Sequence, residues 1–168
     1  MTGIKTILVV KVKDSDGRAR SESLAQISDD VFGSFGNSMT LKSQMSACSF
    51  DQLDIIPGLL PDGSDTRSED SPGVIDITIS ESLLNDRSIV RNAVTTAVED
   101  LLNITLPEPY QHVMYVVEGC YEDCGWAAYA YLNSWLSVYQ GDYYKCVGVQ
   151  MHGEFKRYMP IMLYEVPG

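Results

Sequence analysis

A chain of 168 residues with 45% hydrophobic and 21% charged side chains can bury one substantial core and is too apolar to be disordered throughout. Twelve Lys and Arg against 23 Asp and Glu leave a formal charge of −11 at pH 7. Neither nucleic acid nor an anionic membrane is therefore expected as a partner, since both call for a cationic face.

Ile4 to Lys13 (IKTILVVKVK) is apolar and β-branched and predicts a buried strand, followed by a turn at Asp14-Ser15-Asp16-Gly17. Ser21 to Phe32 predicts a helix, with Ser21 as N-cap, Leu24, Ile27 and Val31 at helical spacing, and Gly33 as the stop. Leu41 to Phe50 is weakly helical, and Leu53 to Ile56 reads as a short strand ended by Pro57-Gly58. Leu59 to Gly73 is rich in Pro, Gly and acidic residues, which predicts a loop and the segment most prone to disorder. Val74 to Ser80 alternates apolar and polar residues, the mark of a half-buried strand. Ser88 to Leu102 is the clearest helix, with an apolar stripe of Ile89, Ala93, Val94, Ala97, Val98, Leu101 and Leu102. His112 to Val117 predicts a central strand; Trp126 to Leu132 and Trp135 to Tyr139 predict two short aromatic-rich strands, and Tyr143 to Met151 turns helical. Helices set among strands in this order predict a mixed α/β sheet with helices packed on it.

No stretch approaches the roughly 20 apolar residues of a membrane span. The run Ile7 to Val10 is too short for a signal-peptide core, so the chain as written carries no export address. Four cysteines, Cys48, Cys120, Cys124 and Cys146, and the sequon Asn103-Ile104-Thr105 point instead to an exported parent protein.

Candidate chemistry is sparse. Cys120 and Cys124 have the spacing of a zinc half-site, but a disulfide across a tight loop fits better because only Cys146 and His152 are candidates for the second ligand pair. Asp14-x-Asp16-Gly17 and Asp62-x-x-Asp65 lack the full calcium-binding loop and read as solvated turns. Two histidines leave little material for a Ser-His-Asp or Cys-His centre, and His112, at the start of an apolar strand, reads as structural. The aromatics Trp126, Tyr129, Tyr131, Trp135 and Tyr139 read as core rather than as a recognition surface. Met151-His152-Gly153-Glu154 places one His beside one Glu. The zinc-protease motif H-E-x-x-H needs a second His four places on, and that position is Lys156. Glu154 lies two places after His152, about 200° around a helix and on the opposite face.

In succession, ILVVKVKDSDG, SESLAQISDDVFG, LKSQMSACSFDQLDIIPG, YQHVMYVVEGC, GWAAYAYLNSWLSVYQG and VGVQMH resemble the gametolysin family of metzincin-like zinc metallopeptidases. The resemblance spans about Thr6 to His152 and implies the N-terminal part of a metzincin catalytic domain, assigned to residues 1–152. Gly125 to Val138 resembles the edge strand and last strand that precede the active-site helix. The resemblance therefore assigns substrate binding by strand addition to Trp126, Ala127, Ala128, Tyr129, Ala130, Tyr131 and Leu132. His152 falls on the first zinc ligand. The second His, the catalytic Glu in its place, the third ligand and the methionine turn are absent, so no catalytic residue is assigned.

Residues 153–168 form a tail outside the family pattern. Gly153-Glu154-Phe155 can be encoded as GGT GAG TTC, which contains GTGAGT, the usual start of an intron, so the tail has the form that intron read-through would produce. The intact relative is expected to be a secreted zinc endopeptidase acting on peptide or protein substrates, with zinc polarising the carbonyl and activating water. This chain, with one ligand of three, is expected to bind no zinc and to cleave nothing. The alternative expectation is a non-catalytic extracellular module of the same fold that binds peptides or proteins.

Overall fold

A strand of consecutive Ile, Leu and Val residues buries both its faces only if helices cover the sheet on both sides. The computed structural model, which describes residues 3–60, 70–119, 128–130 and 134–145, has that architecture. In chain order the elements are β1 (Gly3–Lys13), α1 (Leu24–Phe32), α2 (Leu41–Cys48), β2 (Leu53–Pro57), β3 (Val74–Thr78) and α3 (Arg87–Leu102). They continue with β4 (His112–Val117), β5 (Ala128–Ala130), β6 (Leu136–Gln140) and a 3-10 turn over Gly141–Lys145. Six strands form one mixed sheet, five in the order β2-β1-β4-β6-β5 and β3 also paired to β1, all parallel except β5, which runs antiparallel to β6.

β2 and β3 share one flank of β1. β2 pairs with Gly3 to Ile7 and β3 with Val9 to Lys13. The chain leaves the flank at Gly58, whose N–H donates to the Ile7 carbonyl at 2.8 Å, and returns at Gly73, whose carbonyl accepts from Val9 N–H at 2.8 Å. Gly73 has φ +73, and a Cβ there would lie 2.8 Å from both Pro57 and Phe32, so this close return requires glycine.

Alternation along the strands sorts the core into two layers. Leu8, Val10 and Val12 of β1, with Val113, Tyr115 and Val117 of β4, face α3. Ile7, Val9, Met114 and Val116 face Ile27, Val31 and Phe32 of α1 and Leu41 before the rest of α2. The mixed α/β sheet with packed helices is thus the observed fold.

Several boundaries differ from the sequence expectation. α1 begins after Ser23, not Ser21, because Ser23 and Gln26 close a capping box: the Ser23 hydroxyl accepts from Gln26 N–H, and the Gln26 side-chain oxygen accepts from Ser23 N–H. α3 turns Val90, Val94 and Val98 into the core, with Ala93, Ala97 and Leu102 beside them. Ile89 and Leu101, expected on the buried stripe, are 49% and 46% exposed. β6 runs to Gln140, and the 3-10 turn follows directly where a helix from Tyr143 was expected. Ion pairs on Asp142 and Lys145, and a hydrogen bond from the buried Tyr144 hydroxyl to Asp30, fix that turn. The remainder of the expected helix, residues 146–151, lies outside the described residues.

Candidate functional site

β5 is the outermost strand on its side of the described sheet. Its register is set by the pairs Ala128–Tyr139, Tyr129–Val138 and Ala130–Ser137. Tyr129 points into the α3-side core with Leu136 and Val138, while Ala128 packs on the opposite side with Met114 and Tyr139. The Arg87 guanidinium, at the first residue of α3, lies 5.4 Å from the centre of the Tyr129 ring. That contact and the alternating burial hold β5 at a fixed height on the edge. Tyr129 and Tyr139 are core residues, as expected from alternating aromatics, and Trp135 packs partly buried against the α3-side core.

Among the predicted edge-strand residues, Ala128, Tyr129 and Ala130 are thus brought onto an edge. Trp126, Ala127, Tyr131 and Leu132 lie outside the described residues, as do Cys120, Cys124, Cys146, His152 and the acidic pair Asp62 and Asp65. Cys48 is a free, half-buried thiol.

The chain order places a topological switch between β1 and β4: from β1 the path first goes to β2 and β3 on one side, then to β4 and β6 on the other. A crevice at the carboxyl ends of such strands is the usual ligand position in open α/β sheets. Here Arg20 occupies it. Its side chain is 12% exposed and pairs with Glu22 at 2.7 Å, Glu118 at 2.5 Å and Asp142 at 2.7 Å. Lys145 shares two of these carboxylates, Glu22 at 3.3 Å and Asp142 at 3.1 Å, and adds Asp30 at 3.3 Å. Burial alone would raise the Glu22 pKa, but Arg20 and Lys145 outweigh it and hold the carboxyl at about 2. Burial alone would lower the Lys145 pKa; Asp142, the ionisable Tyr144 hydroxyl and Asp30 together leave it raised. With Arg20 engaged by three carboxylates, the cluster works as a clamp between the loop after β1, the end of β4 and the 3-10 turn. Among the described residues, its two cations face four carboxylates, Glu22, Asp30, Glu118 and Asp142.

Asp14, expected in a solvated turn, is buried instead. Its Oδ1 accepts from the N–H groups of Asp16 at 3.0 Å and Arg18 at 2.7 Å. Its Oδ2 accepts from Leu83 N–H at 3.0 Å and from the Arg18 guanidinium at 3.0 Å. Burial pushes its pKa up, and these donors more than offset that, leaving it below the ordinary value of 3.8. The carboxylate ties the end of β1 to the loop that leads into α3.

No protein-family model, curated protein or solved structure matches the chain.

His112 is a packed strand residue. Its Nε2 lies 2.8 Å from the Ser137 hydroxyl, and burial lowers its pKa. Ser137 is itself buried on β6, so the pair joins two strands inside the sheet. Among the described residues no three His, Cys, Asp or Glu side chains gather as metal ligands. Sequence reasoning missed the clamp entirely. The available signal was the polar run Asp14 to Glu22 directly after the first strand, where a switch-point loop of an α/β sheet is expected.

Proposed function

We propose that this chain is the N-terminal part of a gametolysin-like zinc metalloendopeptidase domain, inactive as written because H-E-x-x-H is broken after His152. The observation that supports this best is β5: a short antiparallel edge strand beside β6, at the position in the chain where the resemblance expects the substrate strand. The mixed sheet with helices on both faces is consistent with the same reading. The complete relative would hydrolyse peptide bonds of extracellular proteins, with the substrate lying extended along the edge strand.

The test is to sequence transcripts across the His152 codon. Spliced messages that restore H-E-x-x-H and encode a downstream third ligand are expected. The protein they encode should cleave peptides and lose that activity to a chelator. Messages that all encode Gly153 to Gly168 and then stop would sink the reading.

A second reading, a non-catalytic module that binds extended peptides, rests on the same edge. Three residues of strand span about 10 Å. They offer a few backbone hydrogen bonds at a net ~0.5–1.5 kcal/mol each, so affinity from this stretch alone is about millimolar. Titration of the labelled chain with an extended peptide should shift the backbone amides of Ala128 to Ala130 and of β6. Shifts elsewhere only, or none at millimolar peptide, would remove this reading.

A further inference from the structure

α3 ends at Asn103, which adopts the left-handed conformation (φ 52, ψ 48) and donates its N–H to the Glu99 carbonyl. Ile104 N–H donates to the same carbonyl at 3.2 Å. The Glu99 carboxylate then accepts from Leu106 N–H at 2.9 Å. Glu99 therefore grips the backbone on both sides of Thr105. Asn103 and Thr105 are both exposed, and neither side chain hydrogen-bonds to another described residue. Asn103-Ile104-Thr105 is the one N-x-[ST] sequon of the sequence. Both residues of the sequon are thus exposed on an ordered turn, which is the access that transfer to the amide requires.

We propose that Asn103 is an acceptor for an N-linked oligosaccharide. The inference rests on the reading of the parent protein as exported. In the transfer, Asn103 Nδ2 bonds to the anomeric carbon of a lipid-diphosphate-linked oligosaccharide. The bond from that carbon to the diphosphate oxygen breaks, the lipid diphosphate leaves with the electron pair, and the amide gives up one proton. The Thr105 hydroxyl is the second element the sequon requires. An N-glycan is bulky and hydrophilic and needs open surface. Asn92, Thr96 and Asp100 precede Asn103 along α3 and line an open groove of about 650 Å³, so there is room beside the acceptor. The exposed Leu101 lies close by in the same turn of helix, and the glycan would stand over it.

The position is also compatible with the edge strand. Arg87, which packs on Tyr129 of β5, is the first residue of α3. Asn103 lies at the other end of the helix, about 24 Å along its axis at 1.5 Å per residue. A glycan there leaves β5 open to an extended peptide.

The experiment is to express the full chain behind a cleavable secretory leader in a eukaryotic host, then treat medium and microsomes with an amidase that removes N-glycans. One downward mobility step is expected, with the acceptor amide converted to an acid in the peptide carrying Asn103. Thr105→Ala should abolish the step while leaving Asn103 in its helix-ending conformation. Thr105→Ser should retain it, and Asn103→Gln should abolish it. A chain without glycan in both fractions overturns the proposal, as does a glycan that persists in Thr105→Ala. Because the leader is supplied, a bare but secreted chain counts against Asn103 alone and leaves the peptidase reading standing. Transfer precedes release to the medium, so a chain retained in the microsomes still gives a result.

Discussion

Tyr110 and Asp14 are both buried polar residues, and they are satisfied to opposite degrees. The Tyr110 hydroxyl has no hydrogen-bond partner among the described residues, and burial raises its pKa to about 12. Its ring stands against Gly58, where a Cβ would come within 2.4 Å of a ring carbon. The ring is needed for packing and the hydroxyl is not, and an unsatisfied buried hydroxyl costs roughly 1–3 kcal/mol. Tyr110→Phe should therefore raise the free energy of unfolding by about 1 kcal/mol, read as a higher urea midpoint at unchanged slope. A lower midpoint would mean that the hydroxyl has a partner. Asp14 is the converse, a carboxylate whose two oxygens accept four hydrogen bonds. Asp14→Ala leaves three backbone N–H groups without that acceptor and should cost about 3 kcal/mol. A loss below 1 kcal/mol would show that water replaces the carboxylate.

At the level of elements, the strands with continuous apolar runs were legible in the sequence. β1 carries Ile, Leu and Val on both faces, and β4 carries Val on both with Met and Tyr beside it, the pattern of strands buried on two sides. α1 was legible in its body and its Gly33 stop but not in its first residue. SESLAQ offers two serines, and only Ser23 has Gln three places later to complete the capping box. α3 was legible as a helix, but its buried face was drawn too wide, since periodicity alone does not say which end of an apolar stripe the sheet will cover. The clamp was not legible because its members are far apart: Arg20 meets Glu118 and Asp142 only after β4 and β6 have paired. The His112–Ser137 contact is hidden for the same reason. Arg20→Met tests the clamp as a link between elements. It leaves Glu22, Glu118 and Asp142 facing one another with only Lys145 to offset them. Amide exchange over Gly141 to Lys145 should quicken at least tenfold while the exchange of β1 stays unchanged. Uniform quickening throughout would indicate global destabilisation instead of release of the 3-10 turn.

For the molecule as a whole, the buried titrating groups predict how stability depends on pH. Burial depresses the His112 pKa below its ordinary 6.5. The unfolded chain therefore takes up a proton at a higher pH than the folded one, and stability falls as pH drops below 6.5. Glu22 is held at about 2 against an ordinary 4.5, so its contribution is complete above 4.5 and is lost as pH falls towards 2. Asp14, held below 3.8, adds to that second loss. Unfolding midpoints measured from pH 8 to pH 3 should show two separate declines, and His112→Gln should remove the upper one alone. An upper decline that persists in His112→Gln would assign it to another group.

The shared flank of β1 also makes the fold an accommodating host. The departure at Gly58 and the return at Gly73 are pinned to Ile7 and Val9, so the two ends of that excursion sit side by side whatever lies between them. Each doubling of an excursion's length adds only about 0.6 kcal/mol of closure entropy. A guest domain with adjacent termini, spliced between Leu60 and Asp70, would thus leave the register of all six strands as it is. Natural length variation among descendants of this fold should collect at the same address.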